Sequence, residues 1–164
     1  VMKLYTRGVV QGDENGNFRP AQSVSREEFV KMLVLALDVP QSETDIAFAD
    51  MEQGAWYRDY IQAAVAAGIV KGVSEERFGV GETITREDMA TMIYRAVTYL
   101  KQNIGNSEHA ATITDAQDIS SYAQEAVSAL VRGGVISGNE TGEFLPKDRS
   151  TRAEAAKMLA MLMQ

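Results

Sequence analysis

The sequence predicts an all-α fold of three helix-loop-helix repeats, and three observations carry this prediction. The tetrad Ser25-Arg26-Glu27-Glu28 returns as Thr85-Arg86-Glu87-Asp88 and as Thr151-Arg152-Ala153-Glu154. Each of the three arginines lies 18 residues after a glycine, and apolar residues at helical spacing follow each tetrad. Since a recurring unit of this length is the signature of a repeat protein, the chain contains three copies of one unit.

Each unit begins with an amphipathic helix that ends at a glycine. The opening glycines are Gly8, Gly68 and Gly134. The apolar positions of the first helix are Trp56, Tyr60, Ile61, Ala64 and Val65 in unit two, and Tyr122, Ala126, Val127, Leu130 and Val131 in unit three. Unit one retains only Val1, Leu4 and Tyr5 of this helix, so we expect its beginning to be missing from this sequence.

A loop follows, with a second glycine four residues after the first and a phenylalanine ten residues after it. The second glycines are Gly12, Gly72 and Gly138, and the phenylalanines are Phe18, Phe78 and Phe144. Residues of this kind accept turns and positive φ, which is the commoner reason for a glycine at such a position. The alternative is that these glycines let the backbone approach a ligand closely.

The second helix of each unit begins after Ser25, Thr85 or Thr151, because hydroxyl side chains are favoured helix N-caps. The acid three positions later completes a capping-box pattern, in which Asp88 is the less usual choice. One apolar stripe then follows at i, i+3, i+4 and i+7. Its members are Phe29, Met32, Leu33 and Ala36 in unit one, Met89, Met92, Ile93 and Ala96 in unit two, and Ala155, Met158, Leu159 and Leu162 in unit three.

No unit can bury its own stripe, so we expect the units to pack around a shared axis as one module over residues 1–164. We assign the repeats to residues 1–37, 46–100 and 113–164. The polar connections between them are expected to be exposed.

Composition limits the classes of partner. The chain has 164 residues, 45% of them hydrophobic, which is enough for one core. A net charge of −7 provides no basic stripe, so neither nucleic acid nor an anionic membrane is an expected partner. No apolar run approaches the roughly 20 residues of a membrane-spanning helix.

We expect no catalytic activity from these residues. There is no cysteine, the single histidine His109 lies in a connection, and no serine has a nucleophile-elbow context. Asp13, Asn15 and Asn17 suggest a calcium loop, but the glycine position and the missing closing acid argue against it. We therefore predict no catalytic residue, no metal site and no cofactor.

The arginine at each helix start has two interpretations. A cation there faces the positive end of the helix dipole, which is unfavourable by roughly 0.3 to 1 kcal/mol when exposed. A salt bridge to Glu27, to Glu87 or to an acid of a neighbouring unit explains its presence structurally. Alternatively, Arg26, Arg86 and Arg152 bind an anion, since a guanidinium matches carboxylate or phosphate geometry and free helix amides lie beside it.

The triplicated pattern resembles the S-layer homology domain family, whose units read approximately F-x-D, W, a helix, G-I-x-x-G, G-x-F-x-P and T-R-A-E. Unit two carries it most fully. The matching residues there are Phe48-Ala49-Asp50, Trp56, Gly68-Ile69-Val70-Lys71-Gly72, Phe78 and Thr85-Arg86-Glu87-Asp88. Unit three has Tyr122 at the tryptophan position, and unit two lacks the proline, so three unequal sites are expected.

This resemblance implies a noncatalytic anchor with a pseudo-threefold, three-pronged helical shape around a central bundle, exported to the bacterial cell surface. The implied ligand is an anionic, pyruvylated secondary cell wall polysaccharide in grooves between units, with Arg26, Arg86 and Arg152 meeting its carboxylate. For Trp56 the resemblance implies a platform for a sugar in the groove between units one and two. The alternative is that Trp56 packs in the core. Asp50 and Asp115 become ligands of sugar hydroxyls, with capping of the following helix as the favoured alternative.

Two other functions fit the same sequence. One is direct binding of peptidoglycan. The other is a structural or protein-interaction role, in which the module contacts neighbouring S-layer proteins in a surface array.

Overall fold

The structure is a computed structural model that describes residues 2–12 and 14–163. Its helices are α1 (Met2–Thr6), α2 (Arg26–Ala36), α3 (Arg58–Ala66), α4 (Arg86–Tyr99), α5 (Gln124–Arg132) and α6 (Arg152–Leu162), with a 3₁₀ turn at Ala116–Asp118. No strand forms within the described residues, and the predicted all-α class is confirmed. Val1, predicted to belong to the first helix of unit one, and Asp13 lie outside the described residues.

The opening glycine of each unit ends the first helix in a left-handed conformation. Gly68 has a φ of 69°, and the next amide, that of Ile69, donates to the carbonyl oxygen of Ala64 at 2.8 Å. This is the Schellman ending of a helix. Gly8 and Gly134 repeat it with φ values of 71° and 72°. Since a left-handed φ costs other residues roughly 1–2 kcal/mol, these positions favour glycine.

The second helices begin at the predicted caps. Ser25 Oγ accepts a hydrogen bond from the amide of Glu28, and Glu28 Oε2 accepts one from the amide of Ser25 at 2.9 Å. The start of α6 forms the same capping box. In unit two the amide of Asp88 donates to Thr85 Oγ1 at 3.2 Å, but the Asp88 carboxylate makes no return bond to the amide of Thr85. The capping-box prediction is therefore wrong for unit two.

The predicted stripe of each second helix forms the core. All its members are buried in units one and two, and in unit three Leu162 alone is half-buried. The first helices differ from the prediction at their starts. Trp56 and Tyr122 precede α3 and α5 by two residues, and 52% and 54% of their surfaces are exposed. Neither aromatic belongs to the apolar face of its helix.

Each second helix packs against the first helix of the next unit. The pairs are α2 with α3, α4 with α5, and α6 with α1. Because the third pair returns to unit one, the units close into a cycle. The start of each second helix consequently lies beside the loop of the following unit. The three-pronged outline stays a prediction.

A small ring of backbone hydrogen bonds lies where the three units meet. The amide of Val24 donates to the carbonyl oxygen of Ser150, that of Ser150 to Ile84, and that of Ile84 to Val24, at 3.0, 2.9 and 3.2 Å. These three residues hold equivalent positions in the repeats and are fully buried. The arrangement has the cyclic order that a pseudo-threefold axis requires.

The buried hydroxyl of Ser150 is an unfavourable feature of this ring. It is buried and has no hydrogen-bond partner among the described residues, whereas its equivalents are Val24 and Ile84. Because an unpaired buried polar group is destabilising, we expect Ser150→Ala to raise the free energy of unfolding by about 1 kcal/mol. Urea unfolding measures this. Val24→Ala is the matched control and should lower that free energy, and a destabilised Ser150→Ala would contradict the assignment.

Candidate ligand-binding grooves

Arg26 extends from the start of α2 into the loop of unit two. Its Nε donates to the carbonyl oxygen of Phe78 at 3.2 Å, and its Nη2 donates to that of Lys71 at 3.1 Å. The guanidinium carbon lies 5.2 Å from the centroid of the Phe78 ring. Two carbonyl acceptors and one aromatic face therefore fix the orientation of the fork.

The Nε and ring contacts recur at the other two helix starts, and the second carbonyl contact recurs at Arg152. Arg86 Nε donates to the carbonyl oxygen of Phe144 at 2.6 Å, and its guanidinium lies 5.1 Å from that ring. Arg152 donates through Nε to Phe18 and through Nη2 to Gln11, both at 3.0 Å, and lies 5.3 Å from the Phe18 ring. Each arginine thus joins its unit to the loop of the next unit.

Each guanidinium also faces the last acid of the next unit's tetrad. The pairs are Arg86 with Glu154, Arg152 with Glu28 at 3.6 Å, and Arg26 with Asp88 at 3.9 Å. The arginines do form salt bridges, as the structural interpretation predicted. Within the described residues their partners are these acids of the neighbouring units, and not Glu27 or Glu87. These salt bridges account for the cation at a helix start, while the ligand role of the arginines stays a prediction.

Three surface grooves, named here after their arginines, lie at these contacts. The Arg26 groove, of about 420 Å³, includes Lys71, Gly72, Asp88, Thr91, Arg95 and Tyr122. The Arg86 groove, of about 390 Å³, includes Gly138, Glu143, Asp148, Arg149, Glu154 and Lys157. The Arg152 groove, of about 150 Å³, includes Val9, Glu28, Lys31, Met32 and Trp56.

The grooves share one plan. The arginine comes from one unit, and the loop and second helix come from the next. In the Arg26 and Arg152 grooves an aromatic residue comes from the third unit. Tyr122 occupies this last position in the Arg26 groove and Trp56 occupies it in the Arg152 groove. Within the described residues, no aromatic side chain lines the Arg86 groove, so the three grooves differ in their composition.

Trp56 lies beside unit one, and the arginine of its groove is Arg152 of unit three. Its ring lies against Lys31, whose Nζ is 5.4 Å from the ring centroid. The placement of Trp56 in the core is wrong, since half of its surface is exposed. Its role as a sugar platform stays a prediction.

Asp50 and Asp115 hold the loops of their own units. Asp50 Oδ1 accepts from the amide of Phe78 at 2.8 Å, and Oδ2 accepts from Gly79 and Val80 at 2.7 and 2.9 Å. Asp115 accepts hydrogen bonds in the same way from the amides of Phe144 and Leu145, both at 2.7 Å. Neither side chain caps the following helix, so that alternative is wrong. Bonding to sugar hydroxyls stays a prediction.

The loop glycines are required by their own loops. A Cβ on Gly72 would lie 2.4 Å from the carbonyl oxygens of Ser74 and Arg77. A Cβ on Gly12 or Gly138 would approach the backbone four residues later to 2.6 or 2.5 Å. Close packing of the loop on itself therefore explains all three. Close approach of a ligand to them stays a prediction.

Several groove residues were not predicted from the sequence. Lys31 and Lys157 hold the same repeat position, five residues after the tetrad arginine, and the alignment of the repeats could have found them. Lys71 and Arg95 have no charged equivalent in the other units, so repetition gives no signal for them.

Glu87 joins units two and three. Its carboxylate accepts hydrogen bonds from the amide and hydroxyl of Ser120, both at 2.9 Å, and from Lys147 Nζ at 2.5 Å. Burial raises the pKa of Glu87, but these hydrogen bonds and the Lys147 charge outweigh it, and the pKa lies below its ordinary value of 4.5. Burial likewise raises the pKa of Asp50, but three amide donors hold it below 3.8.

These two carboxylates make the fold sensitive to acid. The pKa values of both carboxylates are depressed in the folded state. Their ionised forms therefore stabilise the fold when the pH is above the ordinary pKa values, and this stabilisation is lost as the pH falls through the folded-state pKa values. We expect the urea midpoint to be similar at about pH 7 and about pH 5 and to fall clearly at about pH 3. A midpoint that rises on acidification would contradict this assignment.

Within residues 2–12 and 14–163, no group of three or more His, Cys, Asp or Glu side chains is arranged to hold a metal ion. Over the same residues, no helix has the length and apolar character needed to cross a membrane.

A family model described as the S-layer homology domain matches residues 1–30, 47–90 and 112–156. These three segments confirm the tandem repeats. The repeat bounds 1–37, 46–100 and 113–164 stay predictions.

Curated relatives align with nearly the whole chain. An endoglucanase of Bacillus sp. (strain KSM-635) is 37% identical over 99% of this chain and 17% of its own length. A surface-layer 125 kDa protein of Lysinibacillus sphaericus is 34% identical over 85% of this chain and 11% of its own length. An S-layer protein of Bacillus thuringiensis subsp. finitimus is 30% identical over 96% of this chain and 19% of its own length. The chain therefore spans less than a fifth of each of these relatives.

Proposed function

The chain belongs to the S-layer homology domain family, and we propose that its grooves bind an anionic secondary cell wall polysaccharide. As a member of this family it is a cell-wall-anchoring module associated with the cell surface. The finer proposal is that the recognised group is a pyruvylated sugar and that the full protein is exported. Catalysis is not part of the proposed role.

One observation supports the proposal above the others: three guanidinium groups are fixed on groove walls in a chain whose net charge is −7. At least one loop carbonyl and a phenylalanine ring fix the orientation of each arginine. A carboxylate then binds without ordering a flexible cation, which lowers the entropic cost of binding. The fork geometry favours a planar carboxylate over a diffuse negative surface.

The surroundings add selectivity for a sugar. Trp56 presents an exposed ring beside Arg152, and Lys31 adds a second cation to that groove. An aromatic face packs against the apolar face of a pyranose, while the cations take its acidic substituent. We infer that a glycan carrying carboxylates suits these grooves better than a neutral glycan strand.

The test is co-sedimentation of the purified module with bacterial cell walls. One sample of walls keeps its secondary polymers, and a matched sample has them extracted. We expect binding to the native walls and little binding to the extracted ones. Undiminished binding to extracted walls would indicate direct recognition of peptidoglycan, and absence of binding to both would favour a protein partner such as a neighbouring S-layer protein.

A further inference from the structure

The loop of unit one contains the dipeptide Asn15-Gly16. The chain has five asparagines, and Asn15 is the one that a glycine follows. Both residues of the pair are exposed, and Gly16 has a left-handed φ of 76°. The aligned positions hold Glu75-Glu76 in unit two and Thr141-Gly142 in unit three. The pair is therefore particular to unit one, and the repeat pattern does not explain it.

An Asn-Gly pair carries its own chemistry. The backbone amide nitrogen of the glycine gives its proton to solvent and attacks Cγ of the asparagine. A C–N bond forms, the side-chain nitrogen leaves as ammonia, and a cyclic succinimide results. Water then opens the ring at either carbonyl and leaves aspartate or isoaspartate, with no change of oxidation state. Glycine favours the attack because it has no side chain to obstruct the nitrogen and its backbone rotates freely.

The other asparagines are less suited to this reaction. The amide that follows Asn106 donates to the carbonyl oxygen of Arg132 at 2.7 Å, so a hydrogen bond holds the attacking nitrogen. Asn139 Oδ1 accepts from two backbone amides of its own loop at 3.0 and 2.9 Å, which fixes that side chain. Bulky residues follow the remaining two asparagines, in Asn17-Phe18 and Asn103-Ile104.

The loop around Asn15 packs closely on itself. A Cβ on Gly12 would lie 2.6 Å from the carbonyl carbon of Gly16. In isoaspartate the chain runs through Cγ of residue 15, which adds one methylene to the backbone just before Gly16. Because Gly16 already lies this close to Gly12, the extra backbone atom displaces it and changes the shape of the loop.

This loop holds Arg152 of unit three. Nη2 of that arginine donates to the carbonyl oxygen of Gln11 and Nε donates to that of Phe18, both at 3.0 Å. Asn15 lies between these two acceptors in the chain. A longer backbone at residue 15 therefore alters the spacing of the two carbonyl oxygens, and the two hydrogen bonds depend on that spacing.

We propose that Asn15 is a site of spontaneous deamidation, and that the isoaspartate formed there loosens the contact between Arg152 and the loop of unit one. The reaction takes only water as its co-reactant. It replaces a neutral amide by a carboxylate and makes the chain more negative. Arg26 and Arg86 contact the loops of the other two units, so their hydrogen bonds are retained. The proposal does not depend on which ligand the grooves bind.

Peptide mapping by mass spectrometry tests the modification. The folded module is incubated in mildly alkaline and in mildly acidic buffer, and each asparagine is followed separately. We expect conversion at Asn15 while the other four asparagines are retained. Conversion should be several-fold faster in the alkaline buffer, because the attacking amide must lose its proton. An Asn15 that persists in the folded module, or a faster conversion at another asparagine, would overturn the proposal.

Isoaspartate itself is detected with protein isoaspartate methyltransferase, which transfers a methyl group to it from S-adenosylmethionine. Asn15→Gln is the matched control, since the longer side chain keeps the amide but closes a ring far more slowly. We expect methyl transfer to the incubated wild-type module and almost none to the incubated Asn15→Gln variant. Equal transfer to the two would place the isoaspartate elsewhere and contradict the assignment of Asn15.

The effect on Arg152 is measured by nuclear magnetic resonance of its Nε–H group, with Arg86 as the internal control. In the deamidated module we expect solvent exchange of the Arg152 Nε proton to be about five-fold faster, as for the loss of one hydrogen bond, and that of Arg86 to be unchanged. Unchanged exchange at Arg152 would overturn the proposed loosening of this contact.

Freshly prepared Asn15→Asp separates charge from backbone length, because it carries the new carboxylate on an ordinary backbone. We expect its Arg152 Nε proton to exchange as slowly as that of the unmodified module. An acceleration equal to that of the deamidated module would assign the effect to charge and overturn the role given to isoaspartate.

Discussion

Asp50→Ala is expected to lower the free energy of unfolding by roughly 3 kcal/mol, because it removes the acceptor of three loop amides. The amides of Phe78 and Gly79 belong to buried residues, so water does not readily replace the lost acceptor. The substitution should also disturb the Arg26 groove, because this loop supplies the carbonyl oxygen of Phe78 that accepts a hydrogen bond from Arg26. Urea unfolding followed by circular dichroism measures the effect.

The matched control is Asp45→Ala. Asp45 pairs with Arg58 on the surface, and its side chain is 84% exposed. Exposed ion pairs contribute about 0 to 1 kcal/mol, so this variant should unfold almost as the wild type does. Equal destabilisation of the two variants would contradict the role assigned to Asp50.

Glu87→Ala is the second large effect that we expect, again a loss of roughly 3 kcal/mol. Glu87 is 3% exposed, and its removal leaves the amide of Ser120 without its acceptor and Lys147 without its counter-charge. Lys147 is half-exposed, so solvent screens its share of the cost. The amide of Ser120 is expected to account for much of the loss, because water replaces its acceptor less easily.

Glu82→Ala is the control for this second variant. Its carboxylate pairs with Arg77 at 3.3 Å, with about half of each side chain exposed. We expect a change below about 0.5 kcal/mol in urea unfolding. A stable Glu87→Ala variant would show that the contact between units two and three does not depend on this carboxylate.

The helices and their caps were predictable because they depend on local sequence. Each pattern lies within one or two helical turns: a hydroxyl cap, an acid three residues later and an apolar stripe. The structure shows the predicted capping boxes at Ser25 and Thr151. Asp88 is the exception because a residue of another unit, Tyr122, takes its carboxylate. Local patterns cannot reveal such a competitor.

Asp50 and Asp115, which precede the first helices, make contacts that local sequence patterns could not predict. Asp50 bonds to amides that begin 28 residues later at Phe78, and no helical or strand period connects them. The signal that existed was repetition: Asp115 precedes Phe144 by 29 residues, nearly the same separation. A fixed distance between an acid and a loop aromatic in two repeats indicates a contact within the unit.

The partners of the arginines depend on how the units close into a cycle. Repetition identified Arg26, Arg86 and Arg152 as candidates, but it could not show that each reaches forward into the next unit. The core alternative for Trp56 was wrong for a related reason. Its spacing fits the helix that follows, yet α3 begins two residues later, and the ring lies on the surface beside Arg152.

The arginines join adjacent units through loop carbonyls and neighbouring acids. We propose that they also bind a ligand through the remaining guanidinium edge. Replacement by alanine affects both roles, whereas Arg→Lys keeps the charge and loses the fork. Comparison of stability with affinity in these variants separates the two contributions.

Isothermal titration calorimetry tests the proposed recognition of an acidic wall glycan. The titrant is purified pyruvylated secondary polymer, compared with the same polymer after mild acid has removed its pyruvyl ketals. We expect saturable binding of the first and loss of measurable binding to the second. Equal binding of the two polymers would contradict the proposed function, because binding would then not depend on the carboxylate that the guanidinium groups are proposed to recognise.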